Sequence, residues 1–565
     1  MATWPALLPR PSFDGYALDP LEQAIRTDME SGSPRNRRRS KARNDRINVT
    51  WRLTDREMMI FRAWFEYDGG AAGGTAWFDI LLAYGDLGLK TRECRFSGVF
   101  KSTLTGGMNW TVTAGLEVRG GELTADQMRG AVLGLVSAEG VFPTLTLDFA
   151  ADLALDSRII FARASVATYF DAAGIMRTAA LNVARFDHHP LTLGSLGLLL
   201  EETRTNYFAN ASTFAGGAVV SIGTATGPDG LLAYKVVPNA GAVVAPSRGS
   251  SAVQLIPLTT TEGQTTDVSL TYYFAPFGPL NYQPYLVTAA RTGGVSSTYA
   301  LISFNAADGT FTSKALNTGW TELIAPAAVM MPCGMWRVTW SVRWTQPATL
   351  KDDIIGVFQI LNEANIQTYT ADGVSGVQYA CMQMEVGAFP TSYIQTTTAP
   401  ATRAAESATI SGAAFSSWHS QVASTFMFSG DVANTANDSA ADVLFGLSGP
   451  GGFADTTYIT KLKLTGAIGV SMLTGGVTQA SHTLATVAPD TPFSMAIAYT
   501  DNSEAATLNG GVALTDSLLT PPMVDKLRIG SAPWAAGSYV NGHVARLVYW
   551  PARLPDAELR SFTLA

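Results

Sequence analysis

The chain has 565 residues, of which only 15% are charged and 47% are apolar, and its formal net charge at pH 7 is −8. An average soluble protein is roughly 25% charged, and a disordered chain is richer in charge and poorer in aromatic residues. The composition therefore excludes a disordered protein, and the length predicts three or four folded domains. Glycine, serine, threonine, alanine and valine are abundant, which predicts a mainly β, multidomain protein with many turns.

The cysteines and the apolar segments indicate the compartment in which the chain folds. Cys94, Cys333 and Cys381 form no CxxC pair, which supports neither a disulfide framework nor a structural zinc site. The first residues lack the pattern of a secretory signal, and no run of about 18 apolar residues occurs. We therefore expect folding in a cytoplasm, with no cofactor, no disulfides and no membrane insertion.

The first elements predict a small α+β domain within residues 1–155. Apolar and polar residues alternate over 47–53, which predicts a half-buried strand. Thr54 and Glu57 have the spacing of a capping box, which predicts the start of a helix that ends at a Gly-Gly pair. Further strands are predicted at 76–80, 92–101 and 110–118, and a short helix at 124–137.

A basic cluster precedes the first predicted strand. Residues 1–60 contain 11 basic and 8 acidic side chains, whereas residues 201–565 contain 16 basic and 24 acidic ones. The cluster consists of Arg35, Arg37, Arg38, Arg39, Lys41 and Arg43. It is the natural candidate for a nucleic-acid site, but acidic residues flank it and no nucleic-acid-binding motif follows. We interpret it as a solvated or subunit-facing loop that contacts neighbouring subunits, and we expect no nucleic-acid partner.

The order of elements in residues 1–120 resembles a known family. A loop rich in glycine and arginine, a strand, the helix sequence LTDREMMIFRAWFEYDGG, the AWFDI strand and two closing strands are similar to the lambda-type minor tail proteins of the phage tail tip. That family is related to the distal-tail proteins that form a ring below the tail tube. The resemblance implies a ring-shaped homo-oligomer, with a hexamer favoured and a trimer as the alternative, that contacts the tail tube and other tail-tip or baseplate proteins.

The middle of the chain resembles other phage proteins. Residues 156–205 contain RIIFARASVATYFDAAGIMRTAALNVARFDHHP and LGLLLEETRTNY, which resemble a segment that precedes carbohydrate-binding-like β-sandwiches in phage tail and tail-fibre proteins. We expect this segment to connect to such a sandwich, a jelly roll or lectin-like fold, over 206–396. Within it, tryptophan and valine alternate with polar residues over 336–344, which predicts a strand. A linker rich in small and polar residues is expected over 397–406.

The last region, 407–565, is predicted to be a second β-sandwich. Residues 541–549 and the short acidic segment after them resemble the final strand and terminal helix of concanavalin-like, laminin-G-type domains. The sequence ATLNGG at 506–511 resembles the strand and turn that precede them. The same fold binds sugars, proteins or nothing, so the resemblance predicts an architecture without predicting a ligand.

The sequence contains few residues that could form a catalytic site. No GxSxG, HExxH, Walker A or CxxC motif occurs and only five histidines are present, so we do not expect an enzyme. Glu201 and Glu202 are adjacent and would face opposite sides of a strand, which argues against the paired carboxylates of a glycosidase.

Sugar-binding sandwiches use an aromatic ring with nearby amides or carboxylates. The candidate ligand-binding residues are Trp534, Tyr539, Asn541, Trp418 and His419. The alternative is that their aromatic rings are core or subunit contacts.

Three aspartates, Asp438, Asp442 and Asp455, have the oxygen ligands that hard cations prefer. We interpret them as parts of solvated loops and predict no metal site.

Together these features predict a virion structural protein of a phage tail tip or baseplate, synthesised in the host cytoplasm. Its N-terminal domain would join the distal tail ring, and its lectin-like sandwiches would attach to a glycan or protein on the host surface. The alternatives are a stand-alone glycan-binding protein and a tailspike-type glycan hydrolase. The sequence lacks the β-helix repeats and the convergent carboxylates that the hydrolase would need.

Overall fold

The computed structural model describes residues 2–19, 24–27, 35–38, 45–85, 88–119, 123–208, 218–249, 256–258, 261–292, 295–433, 441–463, 465–534 and 538–564. It divides into two compact units, Met1–Phe142 and Pro143–Ala565. Strands account for most of the regular structure in both units, which confirms the mainly β, multidomain fold class. No helix in the described ranges is long and apolar enough to cross a membrane.

The first unit contains a mixed β-sheet covered by a helix. Its elements are β1 (Ala2–Thr3), β2 (Ser12–Asp19), β3 (Ala24–Thr27), β4 (Arg35–Arg38), β5 (Asp45–Thr54), α1 (Asp55–Glu66), a 3-10 turn (Ala72–Gly74), β6 (Phe78–Ala83), β7 (Leu89–Phe96), β8 (Lys101–Thr105), β9 (Asn109–Val118) and α2 (Ala125–Val132). The sheet has the order β1-β6-β7-β9-β5-β2 with β8 paired to β9, and β3 and β4 form a separate hairpin. β1 runs parallel to β6, and the other described strand pairs of this sheet are antiparallel.

The capping box predicted at the start of α1 is confirmed. Thr54 Oγ1 accepts the N–H of Glu57 at 3.3 Å, and the Glu57 carboxylate accepts the N–H of Thr54 at 2.7 Å. The residues that the helix buries are Met58, Phe61 and Phe65. After the helix, Gly70 packs so closely that a Cβ atom there would lie 2.3 Å from the Trp64 carbonyl oxygen. A side chain at this position would therefore displace the backbone at the end of the helix.

The basic cluster differs from the predicted loop. Arg35, Arg37 and Arg38 lie in β4, where they pair with β3, and the Arg37 side chain is exposed. The remaining members, Arg39, Lys41 and Arg43, lie outside the described residues. A hairpin therefore replaces the loop in the described part of the cluster, since residues 24–27 supply a partner strand. The contact with neighbouring subunits stays a prediction.

The second unit consists, in its described ranges, of two β-sandwiches, one of which interrupts the other. Before the interruption lie β10 (Leu145–Asp148), α3 (Phe149–Asp152), β11 (Ile160–Ala162), β12 (Ala167–Phe170), β13 (Met176–Ala179), β14 (Arg185–His188) and β15 (Ser195–Leu200). The interrupting strands are β16 (Arg204–Asn206), β17 (Ala218–Thr226), β18 (Leu232–Pro238), β19 (Gly241–Val244), β20 (Ser247–Gly249), β21 (Ile256–Pro257), β22 (Thr265–Phe277), β23 (Gln283–Thr292), β24 (Val295–Asn305), β25 (Thr310–Leu316), β26 (Trp320–Met330), β27 (Trp336–Thr345), β28 (Asp353–Leu361), β29 (Thr368–Ala371), β30 (Gly376–Val386) and β31 (Ala401–Arg403). After it lie β32 (Ser407–Ser411), α4 (Ala413–Ser416), β33 (Ala423–Val432), β34 (Ala441–Gly449), β35 (Gly452–Leu462), β36 (Ala467–Thr474), β37 (Val477–Thr486), β38 (Phe493–Thr500), β39 (Ser503–Leu508), β40 (Leu514–Asp516), β41 (Lys526–Ile529), β42 (Gly542–Trp550) and α5 (Asp556–Phe562).

We call the sandwich built from residues 143–203 and 404–564 the discontinuous sandwich. One of its sheets has the order β14-β15-β42-β33-β38-β39-β40, with β10 also paired to β42, and the other has the order β11-β32-β41-β34-β35-β36-β37. The predicted connecting segment, 156–205, thus supplies β11, β14 and β15 to these sheets. The structure differs here from the predicted boundaries because β11 and β15 pair with partners more than 200 residues away in the sequence.

We call the sandwich built from residues 204–403 the inserted sandwich. One sheet has the order β17-β18-β30-β22-β27-β26 with β16 and β31 at its side, and the other has the order β20-β28-β23-β24-β25 with β21 paired to β28. The alternation predicted over 336–344 is confirmed in β27, where Val338, Trp340, Val342 and Trp344 are buried.

Five buried charged residues lie where the chain passes between the two sandwiches. We call them the junction network: Arg163, Arg185, Glu201, Arg403 and Glu406. Glu406 Oε1 accepts hydrogen bonds from Arg163 Nη1 at 2.6 Å and Arg185 Nε at 2.9 Å. Glu201 Oε2 lies 2.8 Å from Arg185 Nη1 and 3.0 Å from Arg403 Nη1. Arg403 and Glu406 both fall in the linker predicted over 397–406, so the structure buries these two side chains while residues 397–399 are exposed.

Within the junction network, Glu201 stays ionised over a wide pH range. Burial alone would raise the pKa of Glu201, but Arg403 and Arg185 together with Ser392 lower it to about 2. In the unfolded chain, the carboxylate of Glu201 would become protonated near pH 4.5. The stabilisation that ionised Glu201 contributes is therefore complete above that pH and is lost as the pH falls towards 2.

An apolar cluster also joins the two sandwiches. The hairpin of β12 and β13 packs Phe170 and Met176 against Tyr273, Met335 and Tyr393. Together with the junction network, this cluster fixes the hairpin against the sheet that contains β22 and β27.

Candidate functional site

Two of the predicted ligand residues are core contacts. Trp418 is only 4% exposed, and its ring lies edge-on to Phe415 at 4.8 Å and to Tyr549 at 4.9 Å. His419 stacks on the same two rings, and burial lowers its pKa to about 4. Since neither ring offers a face to a ligand, the prediction of a ligand site at Trp418 and His419 is replaced by the structural alternative. The reason is that both follow the short helix α4, which folds into the sandwich core.

Trp534 belongs to a partly exposed aromatic patch. Its ring lies edge-on to Phe453 at 4.9 Å and to Tyr458 at 4.8 Å, and Phe453 is 47% exposed. Gly446 permits this packing, because a Cβ atom there would lie 2.9 Å from the ring of Pro533. Within the described part of the chain, Tyr539 makes no ring contact with Trp534, so the structure does not bring these two predicted residues into one stacked platform.

Asn541 is buried and lines a large cleft between the two sandwiches. Its Oδ1 accepts the N–H of Glu202 at 3.0 Å, which fixes the orientation of the amide. Its Nδ2 has no hydrogen-bond partner among the described residues. The side chain is 2% exposed, so Asn541 presents an unpartnered donor in a site from which most water is excluded.

The cleft has a volume of about 1160 Å³. The discontinuous sandwich contributes residues from β12, β14, β15, β33 and β42 and from the segment 486–492, and the inserted sandwich contributes residues from β22, β26 and β27 and from the segment 388–393. Its aromatic and apolar lining includes Tyr169, Phe170, Leu191, Tyr273, Ile324, Val329, Phe389 and Tyr393. Its polar lining includes Asp187, Glu322, Arg337, Asp431, Asp490, Asn541 and His543. A few polar groups on a mainly apolar wall are typical of a ligand site.

A histidine clamped by two carboxylates forms part of this lining. Asp431 and His543 are directly opposite each other on β33 and β42, and the Oδ1 of Asp431 lies 2.9 Å from the Nδ1 of His543. The Nε2 of His543 lies 3.1 Å from the Oδ2 of Asp187. Burial alone would lower the pKa of His543, but Asp431 and Asp187 raise it to about 10. At neutral pH the ring is therefore an imidazolium that donates both N–H groups.

Replacing this imidazolium is expected to destabilise the protein. His543→Gln leaves Asp187 and Asp431 facing each other without a cation, and we expect a loss of about 2–3 kcal/mol because the cluster is partly open to solvent. The free histidine titrates near pH 6.5, so the contribution of His543 is complete below that pH and is lost as the pH rises towards 10. Urea denaturation between pH 6 and 10 measures both effects.

A triple variant is the matched control for His543→Gln. Asp187→Asn, Asp431→Asn and His543→Gln together remove every charge of the cluster, so we expect most of the stability to return and the pH dependence to flatten. Equal stability of the single variant and the unmodified protein would contradict this account of the clamp.

The aspartates considered for a cation are separate in the described structure. Asp442 is buried next to Lys463, whose Nζ is 3.6 Å from Oδ1, and burial raises the pKa of Asp442 to about 7. Asp455 accepts the N–H of Gly475 at 2.9 Å. Asp438 lies outside the described residues. Within those residues, no group of three or more histidine, cysteine, aspartate or glutamate side chains is placed to hold a metal ion.

Comparisons with known proteins give similarities of low score. No protein-family model matches the chain, and no curated protein matches its sequence. A carbohydrate-binding module, the CBM40 of a Ruminococcus gnavus IT-sialidase, is 14% identical and covers 26% of this chain and 84% of its own, with a TM-score of 0.22. Domains LG4-5 of the mouse laminin alpha1 chain are 11% identical and cover 60% of this chain and 89% of their own, with a TM-score of 0.18. Trypanosoma rangeli sialidase in complex with sialic acid is 10% identical and covers 100% of this chain and 98% of its own, with a TM-score of 0.21.

At these scores the similarities carry no argument about the ligand. The strand order of the second unit itself defines the class: a multidomain β protein in which one sandwich is inserted into another.

Proposed function

We propose that the chain is a structural attachment protein of a phage tail tip and that its second unit binds a host-surface glycan in the cleft between the sandwiches. The cleft is the observation that carries the glycan-binding proposal. The resemblance of residues 1–120 to tail-tip proteins supports the phage assignment, and it assigns the first unit to a ring-shaped homo-oligomer, with a hexamer favoured. The virion is the location that follows from this assignment.

The lining of the cleft suits a saccharide. Tyr169 and Phe170 are half-buried aromatic residues that can pack against the apolar face of a sugar ring, while carboxylates and amides nearby can bond its hydroxyl groups. The volume of about 1160 Å³ exceeds the range of about 300–1,000 Å³ that is usual for small-molecule sites. We therefore propose an oligosaccharide of several units as the ligand.

The proposal is binding without bond cleavage. Glycoside hydrolysis needs one carboxyl group that can protonate the leaving oxygen and a second that acts as base or nucleophile. Asp187 and Asp431 both accept hydrogen bonds from His543, and Glu201 is held by Arg185 and Arg403. These acidic groups are committed to stabilising cations inside the protein, which supports a binding role.

The test is glycan binding by the full-length protein. Host-surface oligosaccharides are screened on an array, and the affinity of those retained is measured by calorimetry. Tyr169→Ala is expected to weaken binding by about two- to twelvefold, because an aromatic packing contact is worth about 0.5–1.5 kcal/mol. The double variant Trp534→Ala with Tyr539→Ala changes two aromatic residues outside the cleft lining; it is the matched control and should leave the affinity unchanged.

Two results would contradict the proposal. If none of the host-surface glycans binds, the glycan-binding function is wrong. If the Trp534→Ala, Tyr539→Ala variant loses binding while Tyr169→Ala retains it, the aromatic patch is the site and the cleft is not.

A further inference from the structure

Arg337 is a cation in the cleft that forms no ion pair within the described part of the chain. It lies on β27, opposite Tyr273 of β22 and Val329 of β26. Its guanidinium makes no hydrogen bond or ion pair to any residue that the structure describes, although its Nε is buried. Arg343, on the same strand, shows the usual arrangement: its Nε and Nη2 bond the two carboxylate oxygens of Asp267 at 2.6 and 2.8 Å. The guanidinium of Arg337 can therefore donate hydrogen bonds to a ligand, whereas that of Arg343 already bonds Asp267.

Most acidic residues of the lining already bond a cation of the protein. The pairs are Asp187 and Asp431 with His543, and Glu322 with Lys314. Glu201 belongs to the junction network. Asp490 makes no ion pair within the described part of the chain, although His543, Lys461 and Arg337 lie close enough for their charges to act on its carboxylate. A carboxylate entering the cleft would thus meet in Arg337 a cation whose hydrogen-bond donors no described residue occupies.

Asn541 provides a second donor. Its Nδ2 is unpartnered while the side chain is almost fully buried, and leaving such a donor without an acceptor costs about 1–3 kcal/mol. An oxygen atom of a ligand would recover this cost. Arg337 and Asn541 line the same cleft from opposite sandwiches, so one ligand that fills the cleft can reach both.

We infer that the glycan bound in this cleft carries a carboxylate and that Arg337 and Asn541 donate hydrogen bonds to its oxygen atoms. This inference rests on the glycan binding proposed above. A guanidinium matches a carboxylate with two parallel hydrogen bonds, and such charge-assisted bonds are about twice as strong as bonds between neutral groups. Arg337 is thereby a specificity-determining residue that selects an acidic sugar over a neutral sugar of the same shape.

The charge of the surrounding protein restricts the ligand further. Residues 201–565 contain 24 acidic and 16 basic side chains, so a densely charged polyanion would be repelled as it approached. The structure therefore favours an oligosaccharide in which isolated carboxylate-bearing sugars are separated by neutral ones. Strongly sulfated or phosphorylated chains fit this surface poorly.

The experiment compares two forms of one oligosaccharide with the full-length protein. The probe is a tetrasaccharide that contains a single sialic or uronic acid residue, and its partner is the same molecule with the carboxylate converted to a neutral methyl amide. Calorimetry should show that the acid binds at least tenfold more tightly. Arg337→Gln should abolish this preference by weakening the binding of the acid form only. Arg337→Lys keeps the charge but cannot make two parallel hydrogen bonds, so it should retain part of the preference.

Thermal unfolding separates ligand recognition from a structural role. Arg337→Gln is expected to leave the Tm of the unliganded protein nearly unchanged, because Arg337 makes no hydrogen bond or ion pair to a described residue. Arg343→Gln is the matched control: it removes the bonds to Asp267, so it should lower the Tm while the preference for the acid is kept. Asn541→Asp keeps the acceptor for Glu202 but removes the donor, and it should weaken binding of the acid form.

Each outcome bears on one claim. If the neutral amide binds as tightly as the acid, or if the preference survives in Arg337→Gln, the inference is overturned while glycan binding in the cleft stands. If Arg337→Gln lowers the Tm as much as Arg343→Gln does, Arg337 is structural and the inference also fails. If the protein binds neither this tetrasaccharide nor the glycans of the array, the proposed function itself fails, and the acidic preference falls with it.

Discussion

A chain that ends at residue 205 is expected to aggregate, whereas a chain that ends at residue 142 is expected to fold. The longer fragment keeps β10, β11 and β15 but lacks β32 and β42, with which they pair. Four leucines that are buried in the discontinuous sandwich would then be exposed: Leu145, Leu147, Leu198 and Leu200. Exposed apolar strands without partners are prone to aggregation.

The shorter fragment has no such defect. The core of the first unit, which includes Trp51, Phe61 and Phe96, is built only from residues of that unit. Size-exclusion chromatography and circular dichroism of the two fragments check the expectation, and the shorter one should unfold cooperatively on heating. A soluble, cooperatively unfolding fragment 1–205 would show that residues 143–205 do not need the distant strands.

Glu406→Gln is expected to cost about 3–5 kcal/mol of stability. The carboxylate of Glu406 neutralises Arg163 and Arg185 in the interior and also accepts the N–H of Glu201 at 3.0 Å. Glutamine has nearly the same shape but no charge, so the three buried guanidinium groups of the junction network would be left with one carboxylate, that of Glu201. Breaking a buried ion pair from one side has a cost of this size because the stranded charge is not hydrated.

The measurement is urea denaturation followed by circular dichroism. Glu262→Gln is the matched control, since Glu262 lies on an exposed turn of the inserted sandwich and its substitution should change stability by less than about 0.5 kcal/mol. An unchanged denaturation midpoint for Glu406→Gln would mean that the junction network does not hold the sandwiches together.

Local patterns in the sequence predict individual elements of this protein well. The capping box at Thr54, the alternation of tryptophan and valine in β27 and the final strand at 542–550 each depend on residues close together in the chain. Period-two alternation, for example, reports directly which face of a strand is buried. Such local features can be predicted from a single sequence.

The partners of the strands and the shape of the site could not be read in this way. Nothing in the sequence near β15 indicates that it pairs with β42, because the signal of pairing is spread over more than 300 residues. The same holds for the cleft, where Asp187, Asp431 and His543 meet from three distant segments. Trp418 and Trp534 are both aromatic residues near turns, and only the packed structure separates the core residue from the partly exposed one.

The way in which the inserted sandwich begins and ends has a consequence for the evolution of the protein. The chain enters through β16 and leaves through β31, and these strands lie side by side, with Thr205 opposite Thr402. A segment whose two ends are neighbours can be exchanged by recombination for another of different length, because the strands on either side keep their positions. A replacement segment has to preserve the hydrogen-bond acceptors of the Arg403 guanidinium, because this buried charge would otherwise have no partner. Homologous chains are therefore expected to differ chiefly between these two strands, while the surrounding sandwich is inherited with little change.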